Sequence, residues 1–148
     1  MAADAKPPSF VAVFPLNITR KWGCVMTIQE CYQVLGGDFA QVEQRLPSVS
    51  LVKRFLAKFP SDGSFSQLCL AMQKGQRADA FRAAHTLKGV SASLGLQRLQ
   101  SSAEELTELL RPKTERIPPA AIPALEQVKQ DYQLTVSTIQ AFLASDEP

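Results

Sequence analysis

Apolar positions recur along most of the chain at intervals of three and four, the spacing that lines one face of an α-helix. Ile28, Cys31, Tyr32 and Leu35 form the first stripe. Thr27, with Glu30 three residues on, makes a capping-box pattern ahead of it, and Gly36-Gly37 ends it. Asp38 caps a short segment with Phe39, Val42 and Leu46 on one face, closed by Pro47. Ser48 or Ser50 opens the next, with Leu51, Val52, Phe55, Leu56 and Phe59 as its core stripe and Pro60 behind it. Ser64 starts another, carrying Phe65, Leu68, Cys69 and Met72 and ending at Gly75. A longer helix is expected from about Arg77 to Leu94, stopped by Gly95. Leu99, Ala103, Leu106, Leu109 and Leu110 mark the following one, broken before Pro112. The last, roughly Ala120–Ala144, carries Ile122, Leu125, Val128, Tyr132, Val136, Ile139 and Leu143. Between these two, Arg111–Pro119 is rich in proline and mixed charge and reads as a solvated connection between antiparallel neighbours. Sustained period-two alternation is missing, so the pattern predicts an all-α, antiparallel helical bundle with short accessory N-terminal helices.

The first 25 residues are of another kind. Pro7, Pro8 and Pro15 interrupt the apolar run Phe10–Phe14, so no continuous helix is expected. Residues 1–25 read as an irregular or mobile extension, in which Arg20-Lys21-Trp22-Gly23 is at most a minor docking strip; the domain proper is placed at 26–148.

Composition narrows the function classes. The 148 residues are 45% apolar and 20% charged, with a net charge of +2. Charge so small and mixed argues against nucleic-acid and membrane-surface binding. No apolar run approaches the roughly 20 residues that span a bilayer. A single histidine excludes zinc sites built on several imidazoles. Cys24, Cys31 and Cys69 lack metal-type spacing and suit small buried thiols in a reduced, cytoplasmic setting. The scattered glycines form no phosphate-cradling loop, which argues against an ATP-using enzyme.

The histidine is where chemistry concentrates. On a helix advancing about 100° per residue, Ala80, Ala84, Leu87, Ser91 and Leu94 share the arc expected to face the core. His85 points away from that arc, into solvent. Ala78, Phe81, Lys88, Gly89 and Ala92 are its neighbours on the helix surface. A mid-helix glycine costs about 1 kcal/mol relative to alanine, so Gly89 makes sense where bulk beside the imidazole is unwelcome. Lys88 stands one turn away, within reach of a negative group on the ring. A neutral imidazole is a good nucleophile near pH 7 and can hold a phosphoryl group as a phosphoramidate; the dianion would gain from an ammonium nearby. Small residues at 78, 89 and 92 leave room for another protein's active site to reach the ring.

The string His85-Thr-Leu-Lys88-Gly89-Val-Ser-Ala-Ser-Leu94-Gly95 resembles the H-x-L-K-G signature, with Leu-Gly further on, of histidine-containing phosphotransfer (HPt) domains, the phosphorelay intermediates of bacterial two-component signalling. Ala-Phe-Arg-Ala-Ala before His85 and Leu106-Thr-Glu-Leu-Leu-Arg111 in the next helix are also similar to that family, and the similarity covers about residues 26–144. The resemblance implies an up-down four-helix bundle, with His85 as phosphoacceptor, Lys88 as phosphoryl charge partner and Gly89 as access residue. Ala78, Phe81, Arg82 and Ala92 are candidates for partner docking. The implied partners are the receiver domain of a response regulator and/or a hybrid histidine kinase. The implied magnesium belongs to the receiver, so no cofactor or metal is expected on this chain, and the protein is expected to act as a cytoplasmic monomer. Val90 departs from the small residue frequent after the glycine, but points toward the bundle.

Two other classes compete with the phosphocarrier. A docking module that binds receivers or kinases without being phosphorylated has no need of the intact His-Lys-Gly set. An enzyme using His85 as general acid or base needs a pocket that excludes water, and a convex helix surface offers none.

Overall fold

The computed structural model describes residues 26–46 and 48–145, and these are all-helical, with no strand among them. Residues 1–25, with the expected extension, Cys24 and the Arg20–Gly23 strip, lie outside the described residues, as does Pro47. The α-helices are α1 Ile28–Val34, α2 Phe39–Arg45, α3 Val49–Lys58, α4 Ser64–Gln73, α5 Arg77–Ser93, α6 Gln97–Leu110 and α7 Ala121–Ser145, and a 3-10 turn at Phe59–Ser61 follows α3.

The ends follow local chemistry. The Thr27 hydroxyl accepts from the Glu30 amide at 3.0 Å while the Glu30 carboxylate accepts from the Thr27 amide at 2.9 Å, a complete capping box. Asp38 caps α2 through the Ala40 amide and Ser48 caps α3 through the Leu51 amide. Gly75 and Gly95 adopt positive φ just beyond α4 and α5, the left-handed conformation that closes a helix C-terminus. Pro123 falls in the first turn of α7, where a missing N–H costs nothing.

Packing runs in chain order: α5 lies against α4 and α6, and α6 against α7. Phe65 of α4 stacks on Tyr132 of α7 at 3.9 Å between ring centroids, which brings the two outer helices together. The N-terminal pair fastens onto the α5–α6 turn. Tyr32 donates its hydroxyl to the Leu94 carbonyl at 2.7 Å, the Arg98 amide donates to the Leu35 carbonyl at 3.1 Å, and Gly37 passes against the Gly95 backbone. At the other end of α5, Arg77 donates to the carbonyls of Leu110 and Thr114, both at 2.6 Å, and so grips the connection to α7.

Several expected core residues lie elsewhere. Phe55 and Ile122 are 37% and 58% exposed, and Leu143, Tyr132, Val136 and Cys69 are half-buried. On α7 the buried face is rotated toward Ala124, Asp131, Thr135, Thr138 and Phe142. The two threonines satisfy their hydroxyls on the carbonyls of Asp131 and Leu134, at 2.7 Å each, so a helix face with polar residues can still be buried.

Cys31 is fully buried on α1, and burial pushes its thiol from 9.0 up to about 12. The unfolded thiol ionises first, so its contribution to stability is complete below pH 9 and is lost as pH rises toward 12. Alkylation with iodoacetamide at about pH 8 should therefore spare Cys31 in the native protein and reach it in urea. Native-state labelling as fast as that of an exposed thiol would contradict the packing of α1.

Candidate functional site

Helix α5 owes its length to an uninterrupted 17-residue run between Gln76 and the Leu94-Gly95 stop. Its buried face is Ala80, Ala83, Ala84, Leu87 and Ser91, four small side chains and one leucine. Small residues let the flanking helices approach closely, while the charged residues of α5 and His85 are turned outward. Ser91 is the one buried side-chain polar atom among the described residues with no hydrogen-bond partner.

His85 is exposed on the outer ridge of α5, with Ala78 and Gly89 exposed above and below it and Ala92 half-buried further along. A Cβ built on Gly89 meets nothing within 4 Å, so the glycine is not there to let another helix pack close. The Ser93 hydroxyl donates to the Gly89 carbonyl at 3.0 Å. Gly89→Ala should consequently raise stability by about 0.5–1 kcal/mol, because only helix propensity changes. Gly89→Leu should keep the fold and, by obstructing approach to the imidazole, slow the reaction of that ring with an external electrophile by about tenfold or more. Denaturant titration and the kinetics of imidazole modification read the two effects separately; a leucine variant modified at the wild-type rate would sink the access role.

The ridge has two different flanks. On the α6 side, the Phe81 ring stacks beside the imidazole, centroids 6.1 Å apart and planes 16° from parallel. Phe81 is half-buried against the core, so it anchors a flat apolar support next to His85. The Arg111 guanidinium, from the end of α6, lies over the same ring at 5.3 Å from its centroid. Arg111 is hydrogen-bonded to Glu108, and Glu108 in turn lies within the field of Lys88. Lys88 is half-buried and makes no ion pair within 4 Å among the described residues, which leaves its ammonium available one turn from His85.

On the α4 side, Arg82 is exposed and paired with Asp79 of its own helix. Both line a hollow of about 430 Å³ between α4 and α5, together with Leu70, Ala83 and Thr86. His85 is not among the residues of that hollow; it stands on the convex ridge beside it. Ala92 lies at the far end of the ridge, where Arg45 of α2 donates to its carbonyl at 3.2 Å. Val90 is half-buried and lines a hollow with Phe55 and Phe59, turned toward the bundle as its helical position requires.

The structure thus brings His85, Phe81, Lys88, Gly89 and Ala78 onto one outer face, and sets Arg82 and Ala92 at its margins. Sequence reasoning missed Glu108 and Arg111 as members of this neighbourhood. Their i,i+3 spacing shows that they can pair on α6, but not that α6 sets them against the histidine flank of α5. Among the described residues no group of three or more His, Cys, Asp or Glu side chains could hold a metal ion, and no helix is long and apolar enough to cross a membrane. The arrangement is a solvent-facing nucleophile on a rigid helix, with a flat aromatic support, an unobstructed side and adjacent positive charge.

A family model described as Hpt domain matches residues 50–137. That span takes in α3 through most of α7; α1 and α2, which clasp the α5–α6 turn, precede it. No curated protein and no solved structure gives a match.

Proposed function

The chain belongs to the Hpt domain family, whose role is phosphotransfer in phosphorelays, and from that premise we propose that His85 accepts a phosphoryl group from a receiver-domain aspartate or hybrid histidine kinase and passes it to a response regulator. The observation that carries this reading is the exposed imidazole on a convex helix ridge with open space at Gly89. A convex surface suits insertion into another protein's active site and does not suit enclosing a small substrate.

In the transfer, a lone pair of the imidazole attacks the phosphorus of the receiver's aspartyl phosphate. The N–P bond forms as the acyl O–P bond breaks, and the aspartate carboxylate leaves with the bonding pair. The other ring nitrogen keeps its proton, so the phosphorylated ring is an imidazolium until that proton passes to solvent. Phe81 limits the orientations of the ring before attack. Lys88 stabilises the phosphoryl oxygens as a point charge. Magnesium, where the transfer needs it, would be held by the receiver rather than by this chain. The chain is a phosphocarrier rather than an enzyme, with the antiparallel up-down four-helix bundle α4–α7 as its frame. In-sequence packing and the Phe65–Tyr132 stack between α4 and α7 support that topology. Residues 26–148 are the domain, acting as a monomer in the cytoplasm; Ala78, Phe81, Arg82 and Ala92 would meet the receiver around the ring.

The test is to mix the protein with several labelled phospho-receivers and magnesium and follow the label. Acid-labile, alkali-stable label on the protein is the expected result. Binding of a receiver without any transfer would instead favour a docking module.

A further inference from the structure

Arg111 does not lie free on the Phe81 ring. Its Nε and Nη2 donate to the two Glu108 carboxylate oxygens at 3.0 and 2.8 Å, a fork geometry that fixes the plane of the guanidinium. Hydrogen bonding from Arg111 holds the Glu108 carboxyl below the ordinary carboxylate range; burial opposes it, and the charges of Arg111 and then Lys88 add smaller contributions in the same direction as the hydrogen bond. One carboxylate on α6 therefore binds Arg111, which lies over the ring that supports His85, and more weakly feels the charge of Lys88, three residues from His85.

From this geometry, and resting on the phosphocarrier reading, we propose that Glu108 is a positioning residue that sets how strongly His85 holds its phosphoryl group. In the unphosphorylated protein Glu108 ties Arg111 down and partly offsets the field of Lys88. When His85 carries a phosphoryl dianion, that group and Glu108 compete for the same two cations. The carboxylate thereby weakens the phosphorylated state, which favours onward transfer by a carrier that must release what it accepts. Arg111 and Glu108 are 54% and 55% exposed at their side chains, so the effect is modest and screened by salt.

The experiment is the ratio of forward to reverse transfer rates between a phosphorylated receiver and the full chain, measured for wild type, Glu108→Gln, Arg111→Gln and the double variant. Glu108→Gln should shift the ratio toward phosphohistidine by about threefold at low salt, and Arg111→Gln should shift it the other way by a similar factor. Both shifts should shrink at about 0.5 M salt, and the double variant should depart from the product of the two single effects. A merely structural role would move both single variants in the same direction and without salt dependence. An unchanged or lowered ratio in Glu108→Gln, or an unchanged ratio in Arg111→Gln, overturns the inference while leaving the phosphocarrier reading intact. Absence of label on the wild type as well removes both.

Discussion

His85→Gln is expected to abolish acid-labile, alkali-stable phosphorylation completely while leaving the protein folded. The imidazole is exposed, and its described ring contact is the stack with Phe81, so the loss of native contacts is small. Surface substitutions of this kind stay within about 0.5 kcal/mol, which is a shift of a few degrees at most in the thermal midpoint. Glutamine keeps polarity and approximate length but its amide nitrogen is not a nucleophile, since the lone pair is delocalised into the carbonyl. Receiver binding should therefore survive where transfer does not. Label on the variant equal to that on the wild type would show that the acceptor lies elsewhere and would defeat the site as described.

The largest stability loss is expected from Gly95→Ala, about 3 kcal/mol in denaturant unfolding. Two costs coincide there. Gly95 has φ of 72°, a conformation that costs an L-residue about 1–2 kcal/mol. A Cβ at this position would also collide with the Val42 side chain of α2 and press on Tyr32 at 3.4 Å. Overpacking of that kind adds about 1–3 kcal/mol, because Val42 is buried and β-branched, with one strongly preferred rotamer in a helix. Gly75 provides the internal comparison: its φ is also 72°, yet a Cβ there meets nothing within 4 Å. Gly75→Ala should lose only the conformational part, about 1 kcal/mol. Equal losses at the two glycines would mean that α1 and α2 do not clasp the end of α5 as described. Together with Gly89→Ala, expected to stabilise, the three substitutions give three different outcomes for one chemical change.

Much of the architecture was readable from the chain because helix ends are local. Thr27, Glu30, Asp38, Ser48, Gly75 and Gly95 act on backbone groups within a few residues of themselves, and each performs the end-closing role its position implied. The outward direction of His85 was readable for the same reason: rotation along α5 is set by helix geometry once the alanine and leucine face is recognised. Apolar pattern was a poorer guide to burial. Phe55 and Ile122 share their helices with buried neighbours but sit at the edge of the stripe, and the neighbouring helices do not reach over them. On α7 the sequence showed leucines and valines at helical spacing, while the bundle buried a face that also contains Asp131, Thr135 and Thr138, whose polar groups are satisfied by the helix's own carbonyls and by Gln127 one turn earlier.

By itself the sequence determined which helices form, where they stop, and that the single histidine stands opposite the core face with a glycine and a lysine beside it. Those are properties of one helix, governed by contacts three or four residues apart. Only the tertiary structure decided what surrounds that ridge: that Phe81 supports the imidazole, that Gly89 opens onto empty space rather than a neighbouring helix, and that α6 sets Arg111 and Glu108 on the Lys88 flank. The rotation of α6 against α5 follows from how the buried residues of both helices, among them Ala80, Ala84, Leu87, Leu99, Ala103 and Leu106, pack into one shared core. That is a cooperative packing result, and no local spacing rule encodes it.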